Sequence, residues 1–316
     1  MLAVASLTFV LLNLAPGDPA RFWVGPGAGA TELAAARRAL GLDRSLAARY
    51  VTWLGEFVRG RWGMSLAQQR PVSSIVIDAL PHTLVLTSLS LLATYLGGII
   101  LGLVQAVKQR TMLDTGLTAA SLFVIGMPSY WLAIMLILIF TYGSVQMGWP
   151  AWLHLPALGI SSLSAPFLSP GARLADRLRH LVLPLATLSL IGAAGTARYV
   201  RSAVLETRQR EFVRTARAKG LAPRVVVLRH ILRNSLLPVI TLLGLSLPML
   251  FSGAVFVEFV FGWPGMGRVM VEAVGARDYP VVMATTAIFG ALVVTGNAAA
   301  DLLYAVADPR LADSSS

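Results

Sequence analysis

The chain has 316 residues, of which 56% are hydrophobic and only 13% are charged, and its mean hydropathy is +0.71. A soluble globular protein carries roughly a quarter charged residues, so this composition excludes a water-soluble domain and predicts an all-α membrane protein. The net charge of +11 does not indicate nucleic-acid binding, because the basic residues lie between long apolar runs, and the lack of cysteine excludes disulfides and thiolate sites.

The first predicted element is an apolar helix over residues 1–15. A helix needs about 20 apolar residues to cross a bilayer core of about 30 Å, so this segment is short for a complete crossing. A secretory signal peptide is the alternative, but the segment has neither a basic start nor a small-x-small cleavage site. We therefore expect a first transmembrane helix that lacks its cytosolic start.

Residues 16–81 are predicted to form an external loop with short helices. The Ala-rich segment 31–40 precedes Gly41, a common helix stop. A second, amphipathic helix is predicted by apolar residues at helical spacing, namely Leu46, Tyr50, Trp53, Leu54 and Phe57. The aromatic residues among them are equally typical of a belt at the membrane interface.

Residues 82–306 are predicted to form the transmembrane core. Its apolar runs predict further spans at 84–107, 115–145, 181–197, 235–257 and 281–300. Pro128 predicts a kink or a tilt in the second of these runs. The chain is therefore expected to have about six transmembrane helices.

The orientation of these spans follows from the charges of the loops. Residues 198–234 contain many arginines and one lysine, whereas their only acidic residues are Glu206 and Glu211. An excess of Lys and Arg in a short loop marks the cytoplasmic side of a membrane protein. Alternation then places both termini, including the tail 307–316, in the cytoplasm, and puts the loops 16–81, 146–180 and 258–280 outside.

The most informative segment of the basic 198–234 loop covers residues 211–221. Its first part is compatible with a short helix that carries arginines around an apolar side formed by Phe212, Val213 and Ala216. Gly220 is a natural helix stop, and Pro223 prevents easy continuation. Such a helix offers a compact protrusion on the cytoplasmic face. A solvated basic loop that only follows the charge rule is the alternative interpretation.

Three segments of this loop carry a family resemblance, namely 212–221 (FVRTARAKGL), 228–230 (LRH) and 233–238 (RNSLLP). They resemble the cytoplasmic loop of dipeptide and oligopeptide ABC-transporter permeases, which is that family's version of a Glu-Ala-Ala…Gly loop. Here Arg214-Thr215-Ala216 stand in place of Glu-Ala-Ala, and Gly220 is the motif glycine. The resemblance implies docking on an ATPase subunit through Phe212, Arg214, Thr215, Ala216, Ala218, Lys219, Gly220 and Leu221.

The resemblance extends over nearly the whole chain. It includes the segments 14–19 (LAPGDP), 40–43 (LGLD), 255–258 (VFVE), 261–267 (FGWPGMG), 277–280 (RDYP), 301–304 (DLLY) and 308–310 (DPR). The glycine-rich segment 262–267 lacks the Lys-Ser/Thr pair of a P-loop, so it is not a phosphate cradle. We predict a tight turn there, with Trp263 at the membrane interface.

The resemblance implies a type I ABC importer permease bundle in the bacterial cytoplasmic (inner) membrane. Such a subunit is not an enzyme, needs no cofactor and no metal, and forms half of a translocation pathway. Its implied partners are a second homologous permease subunit, two ABC ATPase subunits, an external substrate-binding protein and the lipid bilayer, with no nucleic acid. Peptides are the expected substrate. Nickel complexes, glutathione or another small solute are the alternatives.

Two other classes of function fit the sequence less well. An ion-coupled secondary transporter needs charged relays at the membrane midplane, and the predicted spans offer almost none. An intramembrane enzyme needs a Ser/His, paired Asp or metal constellation, and the sequence shows no such set. Within the predicted span 235–257, a bent helix that lines the pathway, or alternatively close helix contacts, is indicated by Pro238, Gly244, Pro248 and Gly253.

Overall fold

The fold is described from a computed structural model. It covers residues 2–14, 19–25, 27–39, 41–236, 239, 243, 246 and 254–307. Within these ranges the chain forms helices and no β-strand, and an isolated antiparallel bridge joins Met64 to Pro71. The predicted all-α class is confirmed.

Thirteen labelled helices follow one another along the described ranges of the chain. They are α1 (Leu2–Leu14), α2 (Pro19–Val24), α3 (Ala30–Ala39), α4 (Leu46–Val58), α5 (Val72–Val107), α6 (Met112–Ile125), α7 (Ser129–Gln146), α8 (Pro170–Thr207), α9 (Glu211–Ala218), α10 (Pro223–Val225, Val226–Leu232 and Arg233–Ser235), α11 (254–260), α12 (Met266–Gly275) and α13 (Tyr279–Ala307). The middle part of α10 is π-helical, and so is Leu138–Gly143 within α7.

Four of the described helices are long and apolar enough to cross a membrane. These are α5, α7, α8 and the Tyr279–Ala298 part of α13. Helix α6 is apolar but has only 14 residues, and α1 has 13. Most of the predicted span 235–257 lies outside the described residues. The number of six spans therefore stays a prediction.

Pro128 breaks the predicted span 115–145 into α6 and α7. Helix α6 ends at Ile125, and Pro128 stands just before α7 with φ −60° and ψ 140°. A proline has no backbone N–H and disfavours the helical conformation of the residue before it. The prediction of one kinked helix was therefore wrong at this point, because the chain leaves the helical conformation altogether.

Helices α5 and α8 begin earlier than the predicted spans 84–107 and 181–197. Both contain a proline, Pro81 in α5 and Pro184 in α8, and continue through it. The first turns of α5 carry buried side chains at helical spacing, namely Val72, Ile75, Val76 and Ala79. This amphipathic pattern, rather than an unbroken apolar run, makes residues 72–81 helical.

One compact unit consists of residues 1–84 and 264–294. The two helices predicted in its loop are present as α3 and α4, and Gly41 after α3 has a φ of +64°. The aromatic residues of α4 form a continuous row with α1 and Trp62. In this row the ring centroids of Phe9 and Trp53 are 5.6 Å apart, and those of Phe57 and Trp62 are 5.8 Å apart. These rings therefore pack on each other within the unit.

A buried carboxylate joins distant parts of this unit. Asp278 is 1% exposed, and its Oδ2 accepts hydrogen bonds from the Ser65 hydroxyl and from the N–H of Ala67, the latter at 3.1 Å. Its Oδ1 accepts from the N–H of Val281 in the first turn of α13, at 3.5 Å. In the same unit, the N–H of Met266 donates to the Thr83 hydroxyl at 2.8 Å.

The other compact unit consists of residues 85–263 and 295–316. In it, Trp263 is 5% exposed and packs in a core with Leu86, Leu183 and Phe261. Gly262 beside it has a φ of +58°, so the predicted tight turn is present. The Trp263 ring is covered by the protein's own side chains, and its expected place at the membrane interface stays a prediction.

Glycines bring α5 and α8 close together within this second unit. A Cβ on Gly98 would stand 2.5 Å from the Cβ of Thr196, and a Cβ on Gly102 would stand 2.5 Å from the carbonyl oxygen of Ala197. Gly98 and Gly102 are four residues apart, the spacing by which small residues let two membrane helices approach. The two helices therefore meet backbone to backbone, with no room for larger residues.

Candidate functional site

The candidate site is the basic loop between α8 and α10. Helix α8 ends at Thr207, and α9 follows at Glu211 after Arg210, which has the extended conformation of an N-cap. Pro223 is the first residue of α10, a position where its missing N–H has no cost. The sequence thus folds into a short helix between two chain reversals, as the 211–221 pattern predicts.

Gly220 ends α9 in a left-handed conformation. Its φ is +75°, its N–H donates to the carbonyl of Arg217 at 2.9 Å, and the N–H of Leu221 donates to the carbonyl of Ala216 at 3.4 Å. This pair of bonds is the Schellman arrangement that closes helix C-termini and favours glycine at this position. The predicted helix stop at Gly220 is therefore present.

Helix α9 buries one narrow face. Val213 is 0% exposed and Ala216 is 5% exposed, and both pack in a core with Val204, Val226 and Ile231. Phe212 is 41% exposed, so it does not share the buried face of Val213 as the sequence pattern predicted. Neighbouring residues of an α-helix point about 100° apart, which separates Phe212 from Val213.

Most of the residues predicted for docking are exposed, either on α9 or directly after its end. The exposed members are Phe212, Arg214, Thr215, Ala218, Lys219, Gly220 and Leu221. Ala216 differs from them because it is covered by the loop's own core, so it positions α9 and offers no contact surface. The remaining predicted positions, Pro238, Gly244, Pro248 and Gly253, lie outside the described residues.

Ser235 ties the end of α10 to the end of α8. It is 1% exposed, and its hydroxyl lies 3.0 Å from that of Thr207 and 3.2 Å from the carbonyl oxygen of Ala203. The two helices that flank α9 are thus joined by hydrogen bonds close to the points where the loop begins and ends. The end of α8 and the end of α10 are therefore held together beside α9.

A second tie joins α8 to α6 through a salt bridge. The Arg201 guanidinium makes two hydrogen bonds to Asp114, from Nε to Oδ1 at 3.0 Å and from Nη2 to Oδ2 at 2.9 Å. Asp114 is 4% exposed, and its Oδ2 also accepts the N–H of Arg110, at 3.0 Å. The bidentate geometry fixes the guanidinium plane as well as the distance between the two helices.

Sequence reasoning did not find the Asp114–Arg201 pair. The sequence pattern identified both residues only as charges of cytoplasmic loops. A signal was present, because Asp114 is the only carboxylate in the short basic segment 107–114. A single acidic residue among basic ones near the start of a helix indicates an ion pair or a helix cap. Its partner Arg201 lies 87 positions away in the sequence, so residue spacing does not predict the pair.

The two carboxylates of the basic loop are both engaged by arginines. Glu206 pairs with Arg210, and Glu211 pairs with Arg214 at 3.1 Å. The loop's other cations therefore keep their positive charge without a neighbouring acid from the loop. The exposed surface around α9 is strongly positive.

Two related protein families match successive parts of the chain. Residues 98–313 match the family described as the inner membrane component of binding-protein-dependent transport systems. Residues 1–87 match the N-terminal family of membrane components of such systems. Together the two matches cover all of the chain except residues 88–97 and 314–316.

Relatives of known name support the same assignment. The oligopeptide transport system permease protein AppB of Bacillus subtilis is 37% identical over 312 residues, which cover 98% of this chain and 95% of AppB. The di/tripeptide transport system permease protein DppB of Pseudomonas aeruginosa is 37% identical over 317 residues, which cover 98% of this chain and 94% of DppB.

Solved structures show a related fold. A chain of the MetNI methionine ABC transporter, solved in inward-facing conformations, is similar with a TM-score of 0.55. The similarity covers 74% of this chain and 96% of that chain, at 17% sequence identity. At this identity the likeness concerns the fold alone.

Proposed function

The chain belongs to the family of inner membrane components of binding-protein-dependent transport systems, and from this premise we propose that it forms half of the pathway of an ATP-driven peptide importer. A second, homologous permease subunit would form the other half. Two ABC ATPase subunits would supply the energy, and an external binding protein would deliver the substrate. The choice of peptides is supported by the names of AppB and DppB, an oligopeptide and a di/tripeptide permease.

The observation that carries the proposed coupling role is the way α9 is presented. It buries only Val213 and Ala216 and leaves its basic face exposed, and Gly220 ends it abruptly. An ATPase subunit that docks on this face would displace α9 when it binds or hydrolyses ATP. The Ser235 hydroxyl and the Asp114–Arg201 pair would pass that displacement to α10, α8 and α6. The bundle would then change between inward and outward openings.

The proposed topology follows from the charge distribution. The basic loop 198–234 would face the cytoplasm, and so would both chain termini and the tail 307–316. The loop 16–81 would lie outside, followed by the transmembrane core 82–306. This arrangement needs six crossings, with α1 as the first and the segment 235–257 as the fifth.

This sequence has no P-loop, which supports a partner ATPase as the source of energy. Its lysines, Lys108 and Lys219, do not follow the spacing of a nucleotide-binding G-x-x-x-x-G-K-[ST] motif. The purified chain alone should therefore neither bind nor hydrolyse ATP.

The test is transport by the assembled system. The chain, its partner permease, the ATPases and the binding protein should be reconstituted in vesicles, and uptake of a labelled dipeptide and a labelled oligopeptide should be measured with and without ATP. We expect ATP-dependent uptake. Uptake that persists without ATP, or that follows a proton gradient, would contradict the proposal.

A matched pair of variants tests the docking surface itself. Phe212→Ala removes an exposed apolar side chain from α9, and Leu174→Ala removes one, 60% exposed, near the start of α8. The Phe212 variant should capture less ATPase in a pull-down, whereas the Leu174 variant should capture as much as the native chain. Equal capture by both variants would remove α9 from the docking surface.

A further inference from the structure

A cavity of about 490 Å³ lies beside α9, between the ends of α5, α8 and α10. Its floor is apolar and buried, and consists of Ala106, Val204, Val226 and Ile231, each at most 3% exposed. Its rim includes Val107 and Leu221, which are 50% and 39% exposed. The volume falls within the roughly 300–1,000 Å³ typical of small-molecule sites.

Two arginines from different elements line this cavity. Arg208 follows α8, and Arg217 lies in the last turn of α9. In the part of the chain that the structure describes, neither guanidinium has a hydrogen bond or an ion pair. The loop's acids are already engaged, Glu206 by Arg210 and Glu211 by Arg214. The cavity therefore presents two uncompensated positive charges above an apolar floor.

Helix α5 carries a stripe of exposed apolar side chains that runs toward this cavity. Leu92, Leu96, Ile100 and Val107 are each at least 50% exposed and lie on one side of the helix. Helix α5 is also one of the helices that are long and apolar enough to cross a membrane. The cavity thus lies where an exposed apolar stripe of α5 ends and the basic loop begins.

We propose that this cavity binds the headgroup of an anionic phospholipid whose acyl chains lie along α5. Arg208 and Arg217 would hold the phosphate, and the apolar floor would hold the glycerol end of the chains. Basic pockets at the cytoplasmic ends of membrane helices suit anionic headgroups for this reason. The proposal rests on the proposed function only for the placement of the basic loop at the cytoplasmic membrane surface.

A bound lipid at this place would contact the coupling helix directly. Leu221 follows the Gly220 stop, and Val204 and Val226 pack against α9. Occupation of the cavity would fill the space into which α9 can move. The lipid would therefore stabilise one position of α9, and the importer would respond to the anionic lipid content of its membrane.

The experiment measures lipid binding by the full chain, purified in detergent, with native mass spectrometry. Phosphatidylglycerol and phosphatidylcholine are titrated separately, because they share acyl chains and differ in headgroup charge. The variant Arg208→Gln/Arg217→Gln removes the two unpaired cations, and the control Arg210→Gln/Arg214→Gln removes two paired ones. A melting temperature for each variant verifies that it is folded.

We expect the native chain and the control to bind phosphatidylglycerol more tightly than phosphatidylcholine. The Arg208/Arg217 variant should bind phosphatidylglycerol about 30-fold more weakly than the native chain, which corresponds to about 2 kcal/mol for two charges. Val227→Phe, which narrows the cavity without altering charge, should weaken binding as well. An unchanged preference in the Arg208/Arg217 variant, or an equal loss in the control, would overturn the proposal.

Two further measurements distinguish a phospholipid from other molecules that could occupy the cavity. Inorganic phosphate at millimolar concentration should not displace phosphatidylglycerol, and displacement would mean a simple anion site. The ATPase subunit should bind the Val227→Phe variant normally, and loss of ATPase binding without any loss of lipid would assign the cavity to that subunit. Because the lipid measurement needs neither ATPase nor uptake, its failure leaves the proposed importer function in place.

Discussion

Gly220 and Asp114 are single residues on which the geometry of the basic loop depends. Gly220 has a φ of +75°, and no atom lies within 4 Å of the position of an added Cβ. A side chain at residue 220 would therefore meet backbone strain and no collision. Asp114, in contrast to the open surroundings of Gly220, is buried, and both of its carboxylate oxygens accept hydrogen bonds from Arg201.

At residue 220, the shape of the substituted side chain should decide whether transport survives. Gly220→Val places a β-branched residue in the left-handed region, at a cost of roughly 1–2 kcal/mol. Gly220→Asn adds a side chain of similar size that tolerates this region. We expect ATP-dependent uptake to fall several-fold in the valine variant and to stay near native in the asparagine variant. Equal loss in both variants would show that bulk at this surface, and not the backbone conformation, is what matters.

Removal of Arg201 should destabilise the chain more than removal of a neighbouring arginine. Arg201→Leu leaves the Asp114 carboxylate buried without its bidentate partner, which disfavours the folded state. Arg198→Leu, one turn earlier on α8, removes an exposed cation and serves as the control. The melting temperature in detergent should fall clearly for Arg201→Leu and stay nearly constant for Arg198→Leu. Equal melting temperatures would mean that the pair contributes nothing to stability.

At the scale of helices, hydropathy predicts where apolar helices exist and fails at their ends. Residues 72–81 were expected to be loop, yet Val72, Ile75, Val76 and Ala79 form a helical stripe. Three prolines differ in their effect on helix continuity. Pro128 separates two helices, whereas Pro81 and Pro184 lie inside long helices. Local sequence does not decide between these outcomes. Whether neighbouring helices satisfy the freed carbonyl groups depends on tertiary packing.

The same substitution should have opposite effects at two glycines. Gly102→Ala places a methyl group 2.5 Å from the Ala197 carbonyl oxygen, and such overpacking costs about 1–3 kcal/mol. Gly116→Ala in α6 meets no atom within 4 Å and improves helix propensity by up to about 1 kcal/mol. Thermal unfolding in detergent should show a lower midpoint for the first variant and an equal or higher one for the second. A native-like midpoint for Gly102→Ala would mean that α5 and α8 can separate freely.

At the scale of the whole molecule, the sidedness of the loops is directly measurable. The chain has no cysteine, so an introduced thiol is an unambiguous reporter of sidedness. Met266, in the glycine-rich turn, is unsuitable because it is 0% exposed. Thr215 on α9 and Ala276 after α12 are both exposed and stand in loops assigned to opposite sides.

Thiol labelling of intact cells should separate these two positions. Thr215→Cys should react with an impermeant reagent only after the membrane is opened, because the proposed topology places the basic loop in the cytoplasm. Ala276→Cys should react in intact cells. Labelling of both positions from the same side would refute the six-span topology while leaving the family assignment untouched.

The site was predictable from sequence where local rules apply. Gly220 and Pro223 fix the end of α9 and the start of α10, and both follow from backbone chemistry. The direction of the helix faces was harder, since Phe212 is exposed although it is more apolar than the buried Ala216. The Asp114–Arg201 pair and the cavity beside Arg208 arise from contacts between distant segments, which no local pattern encodes.

The Asp278 carboxylate also sets an order of events during synthesis of the chain. Ser65 and Ala67 depend on an acceptor that lies 213 and 211 positions later in the sequence. At about 5–20 residues per second, the ribosome reaches that acceptor roughly 10–40 s after these donors. Until then the N-terminal part of the unit lacks one of its buried hydrogen-bond acceptors. The buried hydrogen bonds to Asp278 therefore form only after most of the chain has been made, and a chain that stops before Asp278 cannot form them.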